Sequence, residues 1–186
     1  MIIGLTGTYG SGKDTVARYL EKNKAFAHYS LSDELRKELE KRAVPPVREN
    51  LIRIGTELRG NEGNSVLAKR VAANFKPGTS YVITSVRHPA EIAELKARGD
   101  FFMVNVDAPA ATRFERIRSR ARKGDPESLD KLLELEQMES QTSGSGQQLG
   151  ECRKLADYTL MNDTNSLDAL GARIESMLTK FGAKKG

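Results

Sequence analysis

The chain of 186 residues is long enough for one domain and too short for two comfortable ones. Its longest apolar runs fall far below the roughly 20 residues needed to span a bilayer, and its first residues lack the pattern of a secretion signal. We therefore expect a cytoplasmic protein without a membrane span. The net charge of +5 and a pI near 9.3 favour anionic partners.

Two further features of the composition narrow the function. A single cysteine, Cys152, excludes an intrachain disulfide and a cysteine-based zinc cluster, and we expect it to be a small core residue. The chain has no tryptophan and few other aromatic side chains for stacking on bases. This composition disfavours nucleic-acid binding as the main role.

Short apolar segments alternate with longer segments of helical period along the chain, which is typical of a βα repeat. Five such strands, some apolar on both faces, predict a three-layer α/β fold with a parallel sheet covered by helices on both sides. The predicted strands are residues 2–6, 26–30, 80–84, 101–106 and 157–161, each followed by a helix of ten or more residues.

Two insertions interrupt this repeat within one predicted domain. The first, about residues 32–76, contains three helical pieces near 32–43, 47–59 and 63–75 and is the expected acceptor-binding insertion. The second, about residues 118–148, contains a charged helical segment over 126–139 and is the expected lid. The basic tail after residue 182 is predicted to be disordered.

A glycine-rich motif, GTYGSGKDT, follows the first predicted strand and opens a helix. Glycines at this spacing let backbone N–H groups surround phosphate oxygens, and Lys13 adds a positive charge for the β- and γ-phosphates. The N-terminus of the following helix favours the same anion. The motif predicts an ATP-binding loop formed by Gly7, Tyr9, Gly10, Ser11, Gly12, Lys13, Asp14 and Thr15.

Position 14 departs from this motif because an aspartate stands where a hydroxyl residue usually holds magnesium. Thr15 supplies a hydroxyl one residue later, and this arrangement resembles the P-loop of adenylate kinase and other nucleoside monophosphate kinases. The resemblance implies a metal held largely through water. We therefore expect Asp14 and Thr15 to be the residues nearest a bound Mg²⁺.

The third strand suggests a reason for Asp14. In many P-loop proteins a strand ends in an aspartate that orients the metal, whereas this strand ends in Thr84 and Ser85. Asp14 is then a candidate replacement for the missing carboxylate. The alternative is that Asp14 only complements the helix N-terminus, which is worth about 0.3–1 kcal/mol.

The second strand is followed by an aspartate at the sheet edge where open α/β folds place their ligands. Ser32 or Asp33 can simply cap the next helix. The segment also resembles the place in dephospho-CoA kinase and in phage-type deoxynucleoside monophosphate kinases where an aspartate faces the acceptor. That resemblance implies a catalytic role for Asp33 in orienting the nucleophile, and Arg36 is expected to bind the acceptor beside it.

Three more arginines are candidates for acceptor binding. Arg48 and Arg59 fall on one predicted helix face, where they can bind an acceptor phosphate together. Arg87 follows the third strand at the same sheet edge, and its alternative role is an ion pair with Glu91.

The segment DAPAATRFERIRSRAR is rich in arginine. Arginine is better suited than lysine to phosphate recognition, and with the charged insertion that follows, this segment resembles the lid of a nucleoside monophosphate kinase. The resemblance implies ATP contacts from Arg116 and Arg120, with Arg120 catalytic, and Arg122 as a further lid candidate.

The stretch GQQLGECRKLADYTLMNDTNSLDAL resembles the C-terminal end of dephospho-CoA kinase. The resemblance implies a base-binding loop over residues 162–165, with Asn162 in contact with ATP. The residues also fit a strand, a turn and a helix cap. The family's apolar strand-end signature is replaced here by TSVRHPAEI, which favours a smaller and more anionic acceptor than dephospho-CoA.

The sequence thus predicts a P-loop phosphotransferase that uses ATP and Mg²⁺. The expected acceptor is a nucleoside or deoxynucleoside monophosphate, with dephospho-CoA second. A slow ATP-hydrolysing switch or assembly factor is the alternative from another class. We expect a monomer or a homodimer.

Overall fold

A parallel five-stranded sheet lies at the centre of the part of the chain that the structure describes. The structure is a computed structural model and describes residues 1–121, 125–140, 144 and 146–183. The strand order is β2-β3-β1-β4-β5, and every neighbouring pair is parallel. The strands are β1 (Ile2–Thr6), β2 (Ala27–Ser30), β3 (Tyr81–Thr84), β4 (Phe101–Asp107) and β5 (Tyr158–Met161).

Helices cover both faces of this sheet. The predicted three-layer α/β fold is confirmed. The helices are α1 (Lys13–Lys24), α2 (Leu31–Lys41), α3 (Arg48–Glu62), α4 (Val66–Ala72), α5 (Pro89–Lys96), α6 (Ala110–Arg120), α7 (Leu129–Ser140), α8 (Leu149–Lys154) and α9 (Leu167–Ala183).

The core consists of two apolar layers, one on each face of the sheet. Successive strand residues point to opposite faces, so Ile2 packs with α2 to α5, whereas Ile3 and Leu5 pack with α1 and α9. Cys152 of α8 is a buried free thiol in the first layer, and burial raises its pKa to about 12. Its predicted role as a core residue is confirmed.

The two helices that flank β3 in sequence, α4 before it and α5 after it, are shorter than predicted. α5 has only eight residues, from Pro89 to Lys96. Its N-terminus is fixed by a capping box in which the His88 side chain accepts from Ala90 N and Glu91 accepts from the His88 backbone N–H. α4 spans Val66–Ala72 within the predicted segment 63–75, and its later start follows a turn with Gly63 at a φ of 94°.

A buried ion pair joins the first insertion to the sheet edge. Nη2 and Nε of Arg59 donate to Glu91 Oε1 at 2.8 and 3.2 Å, and the two side chains are 3% and 0% exposed. Glu91 Oε2 also accepts from the backbone N–H groups of Arg87 and His88. This contradicts the expected role of Arg59 in acceptor binding, because its guanidinium is used inside the core.

Helices long and apolar enough to cross a membrane are absent from the described part of the chain. Arg122 and parts of the predicted lid, residues 122–124, 141–143 and 145, lie outside the described residues, as does the tail from residue 184.

The Arg59–Glu91 pair predicts a large effect on stability. Arg59→Met leaves the Glu91 carboxylate buried without its cation and should lower the free energy of unfolding by about 3–5 kcal/mol. Chemical denaturation followed by circular dichroism measures this change. Arg53→Met is the matched control on α3, since Arg53 is exposed and its loss should cost less than about 0.5 kcal/mol. Similar losses for both variants would contradict the structural role of the pair.

Candidate active site

The glycine-rich loop after β1 has a backbone that only glycine adopts easily. Gly7, Gly10 and Gly12 have φ values of 143°, 79° and 94°, in a region disfavoured for residues with a Cβ. There is also no room for a side chain at Gly7, because a Cβ there would lie 2.1 Å from Val106 O. The loop is therefore held close to the carboxyl end of β4, where a phosphate-binding loop belongs in this type of sheet.

Lys13 folds back over this loop. Its Nζ donates to Gly7 O at 2.7 Å and to Thr8 O at 3.0 Å, so its positive charge lies directly above the backbone that would surround a phosphate. Lys13 is also the first residue of α1, whose N-terminal N–H groups face the same place. The charge and the helix end would act together on a bound anion.

Two hydroxyls in the loop fit a phosphate ligand. Within the described residues, Thr8 Oγ1 and Ser11 Oγ are buried and have no hydrogen-bond partner. Buried polar groups are nearly always paired in folded proteins, so these atoms indicate a ligand with oxygen acceptors. The loop geometry and its unpaired hydroxyls fit the polyphosphate of ATP.

A magnesium ion would have few protein ligands here. Groups of His, Cys, Asp and Glu that could hold a metal are absent from the described ranges. Asp14 is exposed in the first turn of α1, and Thr15 is half-buried beside it. Thr84 at the end of β3 is buried and bonded to His28 Nε2 at 2.9 Å. Asp14 and Thr15 therefore suit a magnesium ion that is held mainly by phosphate oxygens and water.

Asn162 supports the loop from the opposite end of the chain. Its side chain is buried, and Nδ2 donates to Ser11 O at 2.8 Å, while its backbone N–H donates to Asp107 O at 2.7 Å. A Cβ on Gly12 would lie 2.3 Å from Nδ2. Asn162 thus contacts the loop that would bind ATP, and its amide positions that loop's backbone.

Arg116 of α6 lies next to Asn162 and borders an open pocket. Its Nη2 donates to Thr164 O at 2.7 Å, and its Nε donates to Asn165 Oδ1 at 3.2 Å. Burial lowers its pKa, and Nη1 is buried without a partner among the described residues. The pocket is lined by Glu115, Arg116, Ser119, Arg120 and Asn165 and has a volume of about 440 Å³.

Arg120 lies at the end of α6, beside the tip of the loop. Its Nε and Nη2 donate to the two carboxylate oxygens of Asp125, each at 3.2 Å, and its guanidinium carbon lies 4.5 Å from the centre of the Tyr9 ring. Tyr9 Oη donates to Asp125 Oδ1 at 2.6 Å. The structure thus brings the predicted lid arginine to the phosphate-binding loop.

Arg113 is a buried anchor on the same helix. Its Nε donates to Ala108 O at 2.9 Å, and Nη1 donates to Tyr9 O at 3.2 Å. The guanidinium also forms a two-point ion pair with Glu136 of α7. Arg113 therefore connects the loop, the end of β4 and the lid helix, rather than facing a substrate.

Three serine hydroxyls meet at the ends of β2 and β3. Ser30, Ser32 and Ser85 are linked pairwise by Oγ–Oγ distances of 2.9, 3.0 and 3.1 Å. Ser85 has a φ of 62°, which is uncommon for a residue other than glycine and costs free energy in the folded state. We call these three residues the serine cluster.

Charged residues surround the serine cluster. Arg36 Nη1 donates to Asp33 Oδ1 at 2.6 Å and to Ser32 Oγ at 3.2 Å. Both Asp33 and Arg36 are exposed, so the pair is weak and easily rearranged by a ligand. The structure places these two predicted acceptor residues together at the sheet edge.

Arg48 and Arg87 occupy different places. Arg48 is exposed at the start of α3, and its guanidinium carbon lies 5.7 Å from the centre of the Tyr9 ring. Arg59 is instead buried in its ion pair with Glu91, which argues against the predicted shared phosphate site of Arg48 and Arg59. Arg87 donates from Nη1 to Gln147 Oε1 at 2.9 Å, and Gln148 N donates to Arg87 O at 2.7 Å. Arg87 contacts Glu91 through its backbone, because its N–H donates to Glu91 Oε2 at 2.9 Å, in place of the alternative ion pair between the two side chains.

Comparison with known proteins identifies the family. Residues 3–141 match the model of an AAA domain. A UPF0200 protein of Aeropyrum pernix is 36% identical over 172 residues, which covers 91% of this chain and 88% of the relative. The chain belongs to the UPF0200 family. Another member, from Hyperthermus butylicus, is 33% identical over 97% of this chain and 95% of its own length.

Solved structures similar to this UPF0200 protein include several small-molecule kinases. Shikimate kinase from Acinetobacter baumannii, in complex with shikimate, has a TM-score of 0.59 and 17% identity over 96% of this chain and 93% of its own. A gluconokinase from Sinorhizobium meliloti has a TM-score of 0.57 and 14% identity over 98% and 93%. The fold is the α/β P-loop NTPase fold.

Several site residues were missed in the sequence of this UPF0200 protein. The sequence pattern indicated only a charged lid surface for Asp125 and Glu136. It gave no indication of a role for the hydroxyls of Ser30 and Ser85. An Asp five residues after Arg120 was a weak signal for their pairing. The serine cluster could not be recognised from local sequence, because Ser85 is more than fifty residues away from Ser30 and Ser32.

The Asn162 contact predicts a loss of nucleotide affinity without loss of fold. Asn162→Ala removes the side-chain hydrogen bond to the Ser11 carbonyl and should weaken ATP binding about tenfold, as expected for a buried hydrogen bond. Isothermal titration calorimetry measures the affinity. Asn23→Ala is the matched control, since Asn23 makes an exposed helix contact. Equal affinities for parent and Asn162→Ala protein would refute this role of Asn162.

Proposed function

We propose that the protein is an ATP-dependent phosphotransferase that moves the γ-phosphoryl group to a small acceptor. The observation that carries this proposal is the position of two unlike sites at one sheet edge. The glycine-rich loop with its unpaired hydroxyls follows β1, and the serine cluster with Asp33 and Arg36 follows β2 and β3. A nucleotide switch requires the first site alone.

The donor side is assigned to the loop and its supports. The backbone amides between Gly7 and Thr15 and the Lys13 ammonium would bind the phosphates, with Asn162 holding the loop in shape. Mg²⁺ bound to the nucleotide supplies charge neutralisation, and Asp14 and Thr15 are the residues that would orient it. Arg116 and Arg120 would contact the nucleotide from α6.

The acceptor side is assigned to the insertion formed by α2, α3 and α4 and to the loop after β3. Asp33 would orient the attacking oxygen and accept its proton, while Arg36, Arg48 and Arg87 supply positive charge. Such chemistry depends mainly on positioning and on charge stabilisation, which these side chains provide.

A nucleoside or deoxynucleoside monophosphate remains our first proposal for the acceptor. The three arginines left at the site suit its phosphate. Loss of Arg59 from the site weakens that choice, and the serine cluster favours an acceptor with hydroxyl groups. A small hydroxy acid is therefore the second proposal, in line with the sugar-acid and shikimate kinases of the same fold.

The decisive test is a coupled assay of ATP consumption with magnesium, in which nucleoside monophosphates, dephospho-CoA, shikimate and gluconate are offered as acceptors. Lys13→Ala should lower any observed transfer by about 10²–10³, because it removes positive charge that stabilises the transition state. Lys22→Ala, an exposed lysine on the same helix, should leave the rate unchanged. Measurable ATP affinity with no transfer to any acceptor would favour a switch instead.

Asp14 gives a separate prediction about the metal. Asp14→Asn should raise the magnesium concentration needed for half-maximal ATP consumption, because it removes an attraction to the cation. Binding of metal-free ATP should be unchanged or tighter, since a repulsion is also lost. Asp168→Asn is the matched control, because Asp168 is an exposed aspartate in the first turn of α9. Identical magnesium curves for all three proteins would mean that Asp14 only stabilises the helix end.

A further inference from the structure

The tip of the phosphate-binding loop has an unusual pair of neighbours. Two guanidinium groups lie over the Tyr9 ring. The guanidinium carbon of Arg120 lies 4.5 Å from the ring centre, and that of Arg48 lies 5.7 Å from it. Both distances lie within the range of cation–π attraction. Arg120 comes from the start of the lid and Arg48 from the acceptor insertion, so one loop residue contacts both sides of the site.

The hydroxyl of Tyr9 is fixed by Asp125. Tyr9 Oη donates to Asp125 Oδ1 at 2.6 Å, and the same carboxylate accepts from Nε and Nη2 of Arg120. Burial and the hydrogen bond to Asp125 raise the pKa of Tyr9, which keeps its hydroxyl protonated as the donor. Asp125 therefore holds the ring and Arg120 in one fixed arrangement.

The backbone of Tyr9 is fixed as well. Arg113 Nη1 donates to Tyr9 O at 3.2 Å, and Arg113 is itself paired with Glu136 of α7. Next to Tyr9, a Cβ on Gly10 would lie 2.9 Å from Arg113 O and 3.0 Å from the Ile117 side chain. The loop tip thus packs against α6 without space for adjustment, and the Tyr9 ring has a defined direction.

We propose that Tyr9 is a positioning residue that holds Arg120 ready for the γ-phosphate of ATP. This inference rests on the proposed function. Asp125 engages Nε and Nη2 of Arg120 and leaves Nη1 outside that pair. The Tyr9 ring restricts the long side chain to one region beside the loop, so less conformational freedom is lost when Nη1 meets a phosphate oxygen.

Loop packing alone gives no reason for an aromatic residue at this position. The sharp turns of the loop are made by Gly7, Gly10 and Gly12, and Tyr9 is only half-buried. A residue of any type supplies the carbonyl that Arg113 binds. The ring and the hydroxyl are the parts specific to tyrosine, and both are directed to Arg120 and its partner.

The preference for ATP over ADP tests this proposal, because only ATP carries the γ-phosphate. Affinities for ATP and ADP are measured with magnesium by calorimetry on the full chain. Tyr9→Leu should lower the ATP-to-ADP preference about tenfold, the size of a lost charge-assisted contact, and leave ADP affinity near that of the parent. Tyr9→Phe keeps the ring and should lose only about two- to threefold.

Two further variants show whether Tyr9 acts through Arg120. Arg120→Ala should lower the preference as Tyr9→Leu does, and the double variant should lose no more than either single one. Tyr19→Leu is the matched control, because Tyr19 contacts Glu175 on α9 and lies outside the site. It should leave the preference unchanged.

The outcomes separate this proposal from the proposed function. A parent protein that binds neither nucleotide refutes both. A parent that prefers ATP, with equal losses of ATP and ADP affinity in Tyr9→Leu, overturns the positioning role and leaves the kinase proposal standing. Losses that add up in the double variant also overturn it, because Tyr9 would then act independently of Arg120.

Discussion

The hydrogen bond from Asn162 to the Ser11 carbonyl joins the two ends of the chain at the place where the site is built. Ser11 belongs to the loop after β1, and Asn162 follows the edge strand β5. The bond is buried, so breaking it leaves an amide without a partner in a dry environment. The shape of the loop therefore depends on the whole sheet being assembled, since β4 lies between the two strands and its Asp107 carbonyl fixes Asn162.

The sheet could be predicted closely from the sequence, and each strand lies within one residue of its predicted bounds. Buried parallel strands are short apolar runs, which leave little freedom in the assignment. Helix lengths were harder to predict than strand positions, because the ends of a helix depend on its capping contacts. The start of α5 after its N-cap His88 depends on the contact between Glu91 and two backbone N–H groups, and the same carboxylate is also paired with Arg59, which is distant in sequence.

The site was predictable where its chemistry is local. Lys13 and the glycines of the loop lie within a few residues of one another, so their spacing alone indicated phosphate binding. The arginines of α6 were recognised as a group, yet their environments differ: Arg113 is buried against Glu136, whereas Arg120 lies beside Tyr9. Helical periodicity gives the face of a side chain, while tertiary partners distant in sequence decide whether that face meets substrate or core.

Ser85 combines an unfavourable backbone conformation with a hydroxyl that contacts two other serines. A left-handed backbone costs a serine on the order of 1 kcal/mol relative to glycine, and this residue lies at the end of the buried strand β3. Glycine at this position would remove the backbone strain but also one of the three hydroxyls that meet at this point. Ser85→Gly is therefore a substitution with two opposing effects on stability, because relief of the backbone strain is offset by loss of the hydroxyl contacts to Ser30 and Ser32.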